Sequence, residues 1–269
     1  MLTPTLVLAS IGLVSGLGLA VAARVFAVEV DPRQEKINDT LPGANCGGCG
    51  YAGCADFAAA LVDGKVQPGD CPVCDDAAKQ AIAEVMGIEV GDSVKEVALI
   101  MCQGGSSVAG RDSRYNGHAS CASAALVGGG DKLCQHGCLG LADCQAACTF
   151  GAIEMTEDNI AHVIPSRCTG CGKCIAACPR HILKLVPADT TIHVLCNNHD
   201  KGAAAKKACG VSCIGCRKCE KAFEEDPRIR VHNYLAEVDY AHPPSDESIT
   251  ELCPTGALTI RLMREQDHI

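Results

Sequence analysis

The spacing C-x2-C-x2-C-x3-C-P, at Cys168, Cys171, Cys174, Cys178 and Pro179, constrains this chain more than any other feature. It gathers three thiols in one loop and sends the fourth, just before a proline, to a neighbouring site, which is the signature of a two-cluster bacterial ferredoxin. Around it lie 21 cysteines in 269 residues, with no Trp, four Phe and four Tyr. So few large apolar side chains leave small modules short of buried surface, and something besides hydrophobic burial must hold them. Cysteines two or three residues apart converge readily on one metal centre, whereas a disulfide framework spreads its partners along the chain. Metal in a reducing compartment is the expectation.

The remaining cysteines sort by the same arithmetic. Cys134, Cys138, Cys144 and Cys148 read C-x3-C-x5-C-x3-C. Crossing the fourth cysteines groups Cys134, Cys138, Cys144 and Cys178 at one [4Fe–4S] site and Cys148, Cys168, Cys171 and Cys174 at its partner. The first run departs from the pattern by its wider spacings and by Thr149 where proline is usual. Nearer the N-terminus, Cys46, Cys49, Cys54 and Cys71 read C-x2-C-x4-C-x16-C, with glycines at 43, 47, 48, 50 and 53 that let backbone N–H groups turn toward the sulfurs. Four cysteines also suit structural zinc, which predicts colourless protein where clusters give brown.

Toward the C-terminus, Cys213, Cys216 and Cys219 form C-x2-C-x2-C and Cys253-Pro254 closes the set. Ferredoxin spacing would put the other site's ligands at 223, 243, 246 and 249, which are Phe223, Pro243, Asp246 and Ile249. One whole site is therefore missing and the other is complete. Cys102, Cys121, Cys196 and Cys209 flank the two ferredoxin-like units and are expected to form a fifth, long-range site. Cys74 is left as a free thiol. About five [4Fe–4S] clusters and about 20 iron atoms per chain follow. Histidines 118, 136, 181, 193 and 199 are read as surface or core residues.

From Pro4 to Ala23 the chain carries no charge, and that length matches the roughly 20 residues of a membrane-spanning helix. No Lys or Arg precedes it and Arg24, Arg33 and Lys36 follow, so the positive-inside bias puts the N-terminus outside and the rest in the cytoplasm. A cleaved signal peptide, suggested by Ala20-Val21-Ala22, lacks its basic leading region. Gly12 and Gly16 could let another membrane helix approach. The net charge of −9 argues against general nucleic-acid binding.

The organisation expected is α+β: a transmembrane anchor at 1–28, a four-cysteine domain at 29–90, a two-cluster ferredoxin-like domain at 91–190, and a one-cluster ferredoxin-like domain at 191–269. A polar linker is expected around 29–41, a helix at 75–87, a strand at 93–102 and a loop at 103–118. Short β pieces at 152–164 and 229–240 read as hairpins whose order depends on metal.

Taken together, "NCGGCGYAGC…CP", "CLGLADCQAAC", "CTGCGKCIAACP" and "CNNHDKG…CIGCRKC" resemble the B-type iron–sulfur subunit of the Rnf complex. That complex is the membrane-bound ferredoxin:NAD oxidoreductase coupled to sodium or proton translocation. The resemblance implies one-electron relay from soluble ferredoxin toward flavin- and NAD-binding subunits in the inner (cytoplasmic) membrane, as part of an oxidoreductase and with no nucleophile or general base. Residues 223, 243, 246 and 249 depart from the longer family pattern. The basic run Lys201, Lys206, Lys207, Arg217, Lys218 and Lys221 suits docking of an acidic ferredoxin, or is simply a solvated face. A polyferredoxin-like subunit of another membrane reductase is the alternative function. A radical-SAM enzyme, suggested by the C-x3-C-x2-C of Cys209, Cys213 and Cys216, has too little chain left for its barrel.

Overall fold

A computed structural model describes residues 2–26, 31–89, 91, 94–223 and 228–261. The first helix, α1, runs Leu2–Val25. Apart from Ser10, Ser15 and Arg24 its described side chains are apolar or glycine, and Ile11, Leu13, Val14, Leu17 and Leu19 are all exposed. Among the described residues no helix is long and apolar enough to cross a membrane. The spanning anchor expected at 4–23 is therefore not shown by the structure.

Where a polar linker was expected, α2 forms over Pro32–Thr40. Asp31 caps it by accepting the N–H of Arg33 at 2.8 Å, Pro32 fits the first turn, and Ile37 is buried. One apolar residue on an otherwise polar helix is enough because α3 (Cys54–Val62) and α4 (Asp76–Met86) close over it. Ile37, Phe57, Leu61 and Ile82 make the core of this N-terminal unit. The helix expected at 75–87 is α4, capped by the Asp75 carboxylate and ended by Gly87 at φ +67°.

The rest of the chain repeats one plan twice. In the middle module β1 (Glu96–Ile100) pairs antiparallel with β4 (Leu183–Pro187), and between them lie α5 (Cys121–Leu126), α6 (Asp143–Ala147), the hairpin β2 (Ile153–Met155) with β3 (Ala161–Val163), and α7 (Lys173–Ala177). In the C-terminal module β5 (Ile192–Val194) pairs with β8 (Leu258–Ile260), enclosing α8 (Gly202–Ala208), α9 (Lys218–Lys221) and the hairpin β6 (Ile229–His232) with β7 (Leu235–Val238). Each module thus joins its first and last strands and folds a hairpin inside. The strand expected at 93–102 is β1; residue 93 lies outside the described residues.

Four two-stranded sheets are marginal on their own. The loop at 103–118 contributes by tying the modules together: Gly110 donates to the Ala208 carbonyl at 2.9 Å and Gly210 to that of Val108 at 3.0 Å. Phe223 and Ile249, two of the positions where ferredoxin spacing would put ligands, pack with Ile229, Val231 and Leu235.

Candidate functional site

All 21 cysteines are free thiols, and the fold brings most of them together in five groups. Among the described residues no three His, Cys, Asp or Glu side chains close around a single-ion position. In three places, four thiols instead line a common pocket.

The first group belongs to the N-terminal unit. Cys71 and Cys74 are buried there, and Cys49 and Cys54 pack against the same apolar cluster; Cys46 is half-buried in the loop ahead. Asn45 accepts the N–H of Cys54 at 2.8 Å, and a Cβ on Gly53 would stand 2.9 Å from that oxygen. Glycine is what lets this brace close. Cys74, the thiol left over from the expected set, adjoins Cys71: their hydrogen bond lowers the Cys71 thiol below its usual range and, with burial, pushes that of Cys74 up.

The second group is Cys148, Cys168, Cys171 and Cys174. Burial first, then the neighbouring Cys168, Cys171 and Cys148, push the Cys174 thiol up to about 12. Ala98 donates its N–H to Cys168 Sγ and Ala152 to Cys148 Sγ, each at 3.3 Å.

The third and fourth groups divide their eight thiols differently from the expectation. Cys121, Cys138, Cys144 and Cys178 line one pocket, and Cys102, Cys134, Cys196 and Cys209 line another. Cys121 and Cys134 have exchanged places. Burial first, then Cys138, Cys121 and Cys178, push the Cys144 thiol up to about 12. The physical reason lies in α5. The Asp143 carboxylate accepts the N–H groups of Cys121 and Ala122 and the Ser120 hydroxyl, at 3.0, 2.9 and 3.0 Å, which turns Cys121 into the module. Burial raises the Asp143 carboxyl, but those donors outweigh it and hold it below the usual carboxylate range. The Cys121 sulfur in turn lies against the backbone N–H groups of Asp143 and Leu141. Counting three residues from Cys138 reaches Leu141, where regular ferredoxin spacing puts a thiol; Cys121 fills that gap. This count was the available signal, because Cys144 and Cys148 keep regular offsets of six and ten from Cys138.

The fourth pocket is cradled by backbone. A Cβ on Gly104 would stand 3.0 Å from Cys209 Sγ, and one on Gly137 would stand 3.4 Å from Cys134 Sγ and 3.5 Å from Cys102 Sγ. Its sulfurs accept the N–H of Cys138 (to Cys102, 3.4 Å), the N–H groups of Asn198 and Cys213 (to Cys196, 3.4 and 3.3 Å) and the Asn198 side-chain amide (to Cys134, 3.6 Å).

The fifth group is Cys213, Cys216, Cys219 and Cys253, which line one pocket beneath Arg217 and Lys218. Leu258 donates its N–H to Cys253 Sγ at 3.4 Å, and burial raises the Cys219 thiol to about 11. Cys216 is exposed. The lysines at 201, 206, 207, 218 and 221 and Arg217 are all exposed nearby in sequence, and α8 starts against Ile214, whose carbonyl would lie 2.8 Å from a Cβ on Gly202. No histidine lines the three pockets just described. His193 is buried, bonded to Tyr240 and to the Thr190 carbonyl, and His136 faces Asp200 and His199.

Neighbouring groups touch. Gly48 of the first abuts Cys171 of the second, and the crossed run joins the second to the third. Cys138 of the third donates to Cys102 of the fourth, and Cys213 of the fifth to Cys196 of the fourth. Thiol-only donor sets, N–H···S hydrogen bonds and glycine cradles fit iron–sulfur clusters. Fold and site together define an iron–sulfur electron-transfer protein with several centres.

Comparison with known proteins agrees. A family model described as "Putative Fe-S cluster" matches residues 41–73, and one described as "4Fe-4S dicluster domain" matches residues 133–185. The chain is 42% identical over 258 residues to the B-type subunit of the Na(+)-translocating ferredoxin:NAD(+) oxidoreductase complex of Acetobacterium woodii, covering 96% of this chain and 77% of that one. It is 40% identical over 255 residues to the B-type subunit of the ion-translocating oxidoreductase complex of Methanosarcina acetivorans, covering 95% and 96%. With the B-type subunit of the proton-translocating ferredoxin:NAD(+) oxidoreductase complex of Clostridium ljungdahlii it shares 39% over 255 residues, covering 94% and 89%. The chain belongs to the family of B-type subunits of the Rnf ion-translocating oxidoreductase complexes.

Proposed function

We propose that this chain is the multi-centre electron-transfer subunit of an Rnf ferredoxin:NAD oxidoreductase, holding about five [4Fe–4S] clusters. Clusters bound at these sites supply one-electron transfer. The observation that carries the reading is the contact between successive thiol groups: Gly48 with Cys171, Cys138 with Cys102, and Cys213 with Cys196. We assign the ligands as Cys46, Cys49, Cys54 and Cys71; Cys148, Cys168, Cys171 and Cys174; Cys121, Cys138, Cys144 and Cys178; Cys102, Cys134, Cys196 and Cys209; and Cys213, Cys216, Cys219 and Cys253.

Electrons from a soluble ferredoxin enter at the fifth group, because Cys216 is exposed beside the cations Arg217 and Lys218. Other Rnf subunits receive them. The exposed apolar helix α1 supports membrane association through the N-terminus, with the four-part division of the chain expected from the sequence. Removing residues 1–26 should release the rest of the chain from membranes on fractionation.

The ligand exchange has a direct test. Cys121→Ser should lose about four irons per chain, and adding Leu141→Cys should restore them. Cys134→Ser should lose about as many, without rescue by Leu141→Cys. Rescue of the Cys134 variant instead would return Cys134 to the third group.

A further inference from the structure

Lys132 is 2% exposed. Its ammonium donates to the Gly104 carbonyl at 2.9 Å, and Gly104 is the residue wedged between Cys209 Sγ and Cys102 Sγ in the fourth group. Lys132 itself lines that pocket. A buried ammonium with one neutral acceptor is costly, and such charges are found paired. Among the described residues no carboxylate makes an ion pair with it. The Asp158 carboxylate, which interacts electrostatically with Lys132, makes its hydrogen bonds to Ser107, accepting the N–H and the hydroxyl at 2.7 Å each. The Asp158 carboxylate acts on Lys132 from outside the pocket, and the sulfurs of the fourth group are the anionic atoms that share the pocket with it.

We infer that Lys132 is a built-in counter-charge that raises the reduction potential of the fourth centre above those of its neighbours. Burial alone works the other way, since a low-dielectric pocket disfavours the added negative charge of reduction. Two features oppose it here and are concentrated at this group. One is the ammonium, unscreened by water. The other is the set of N–H donors from Cys138, Asn198 and Cys213, which stabilise negative charge on sulfur. The fifth group also has cations beside it, but Arg217 and Lys218 are exposed and screened by salt. A high potential at the junction between the two modules makes it the place where an electron rests.

This inference rests on the proposed ligand set, and the test separates the two. In the full chain, anaerobic redox titration by electron paramagnetic resonance, with one electron delivered per centre by dithionite through mediators, gives a midpoint for each signal. Cys209→Ser should remove or alter one signal with loss of iron, which identifies the fourth centre. Lys132→Met should keep the iron and lower that same midpoint, so that its reduced-to-oxidised ratio at fixed potential falls at least tenfold, or 59 mV for one electron. Lys132→Arg should restore it. If Lys132→Met loses iron, Lys132→Gln, which keeps a donor for Gly104, takes its place. An unchanged midpoint in an iron-replete Lys132 variant overturns the counter-charge while leaving the site intact; full iron and unchanged signals in Cys209→Ser overturn the site.

Discussion

Gly48 and Cys171 meet backbone to backbone: a Cβ on Gly48 would stand 2.9 Å from the Cys171 carbonyl oxygen. The contact brings the N-terminal four-cysteine loop against the ferredoxin-like module at a ligand of each. Gly48 does not have a positive φ, so its need for glycine is purely one of space. Gly48→Ala should cost about 1–3 kcal/mol at this junction and slow electron exchange between the first and second centres. Flash reduction followed by optical spectroscopy would show it, with iron content unchanged. An unaltered rate would mean the first centre has another route.

Asp143 holds Cys121 in place through three hydrogen bonds from Ser120, Cys121 and Ala122. Asp143→Ala leaves those donors without a partner, at a cost of about 1–3 kcal/mol. The third centre should become labile: about four irons lost on gel filtration with a chelator, while the signals of the fifth centre persist. Asp143→Asn, retaining one acceptor oxygen, should lose fewer.

These two residues also show how far the chain's own residues announced the fold. The dense runs were legible, because three thiols within a few residues must face one centre whatever the rest of the chain does. The paired hairpins and α4 were legible from local pattern. The partner exchange between Cys121 and Cys134 was not. It depends on the path of the loop from Cys102 to Cys134, and that path is set by Asp143 and by the Gly110 contact with Ala208, neither of which any spacing declares. α2 was missed for a related reason: its burial rests on the single residue Ile37.

His193 carries the acid sensitivity of the C-terminal module. Burial lowers its pKa to about 4, and since the Thr190 carbonyl can only accept, the ring is neutral with its proton on Nε2 while Nδ1 accepts from Tyr240. The unfolded chain takes up a proton near pH 6.5 and the folded chain does not until about pH 4. Stability is therefore complete above 6.5 and is lost as pH falls toward 4. Between pH 7.5 and 5.5 the loss should be about 1 kcal/mol, read from denaturant midpoints, and His193→Asn should flatten that slope.

Electrostatic steering at the fifth centre predicts a salt effect. Reversing Lys206 and Lys207 to Glu should slow reduction by an acidic ferredoxin several-fold at low ionic strength, with the difference closing at high salt. A rate insensitive to both charge and salt would move the point of entry elsewhere.

The fourth group draws on residues from Cys102 to Cys209, spanning both ferredoxin-like modules. During synthesis the first group is complete once Cys71 has emerged and the second and third once Cys178 has, but Cys102 and Cys134 must wait for Cys209. The proposed ligand sets thus imply an order in which iron can be installed. On the proposed ligand sets, the centre that joins the modules closes only after the two of the middle module can already be filled, so a chain cut between 190 and 209 would carry a finished ferredoxin-like module and an open bridge.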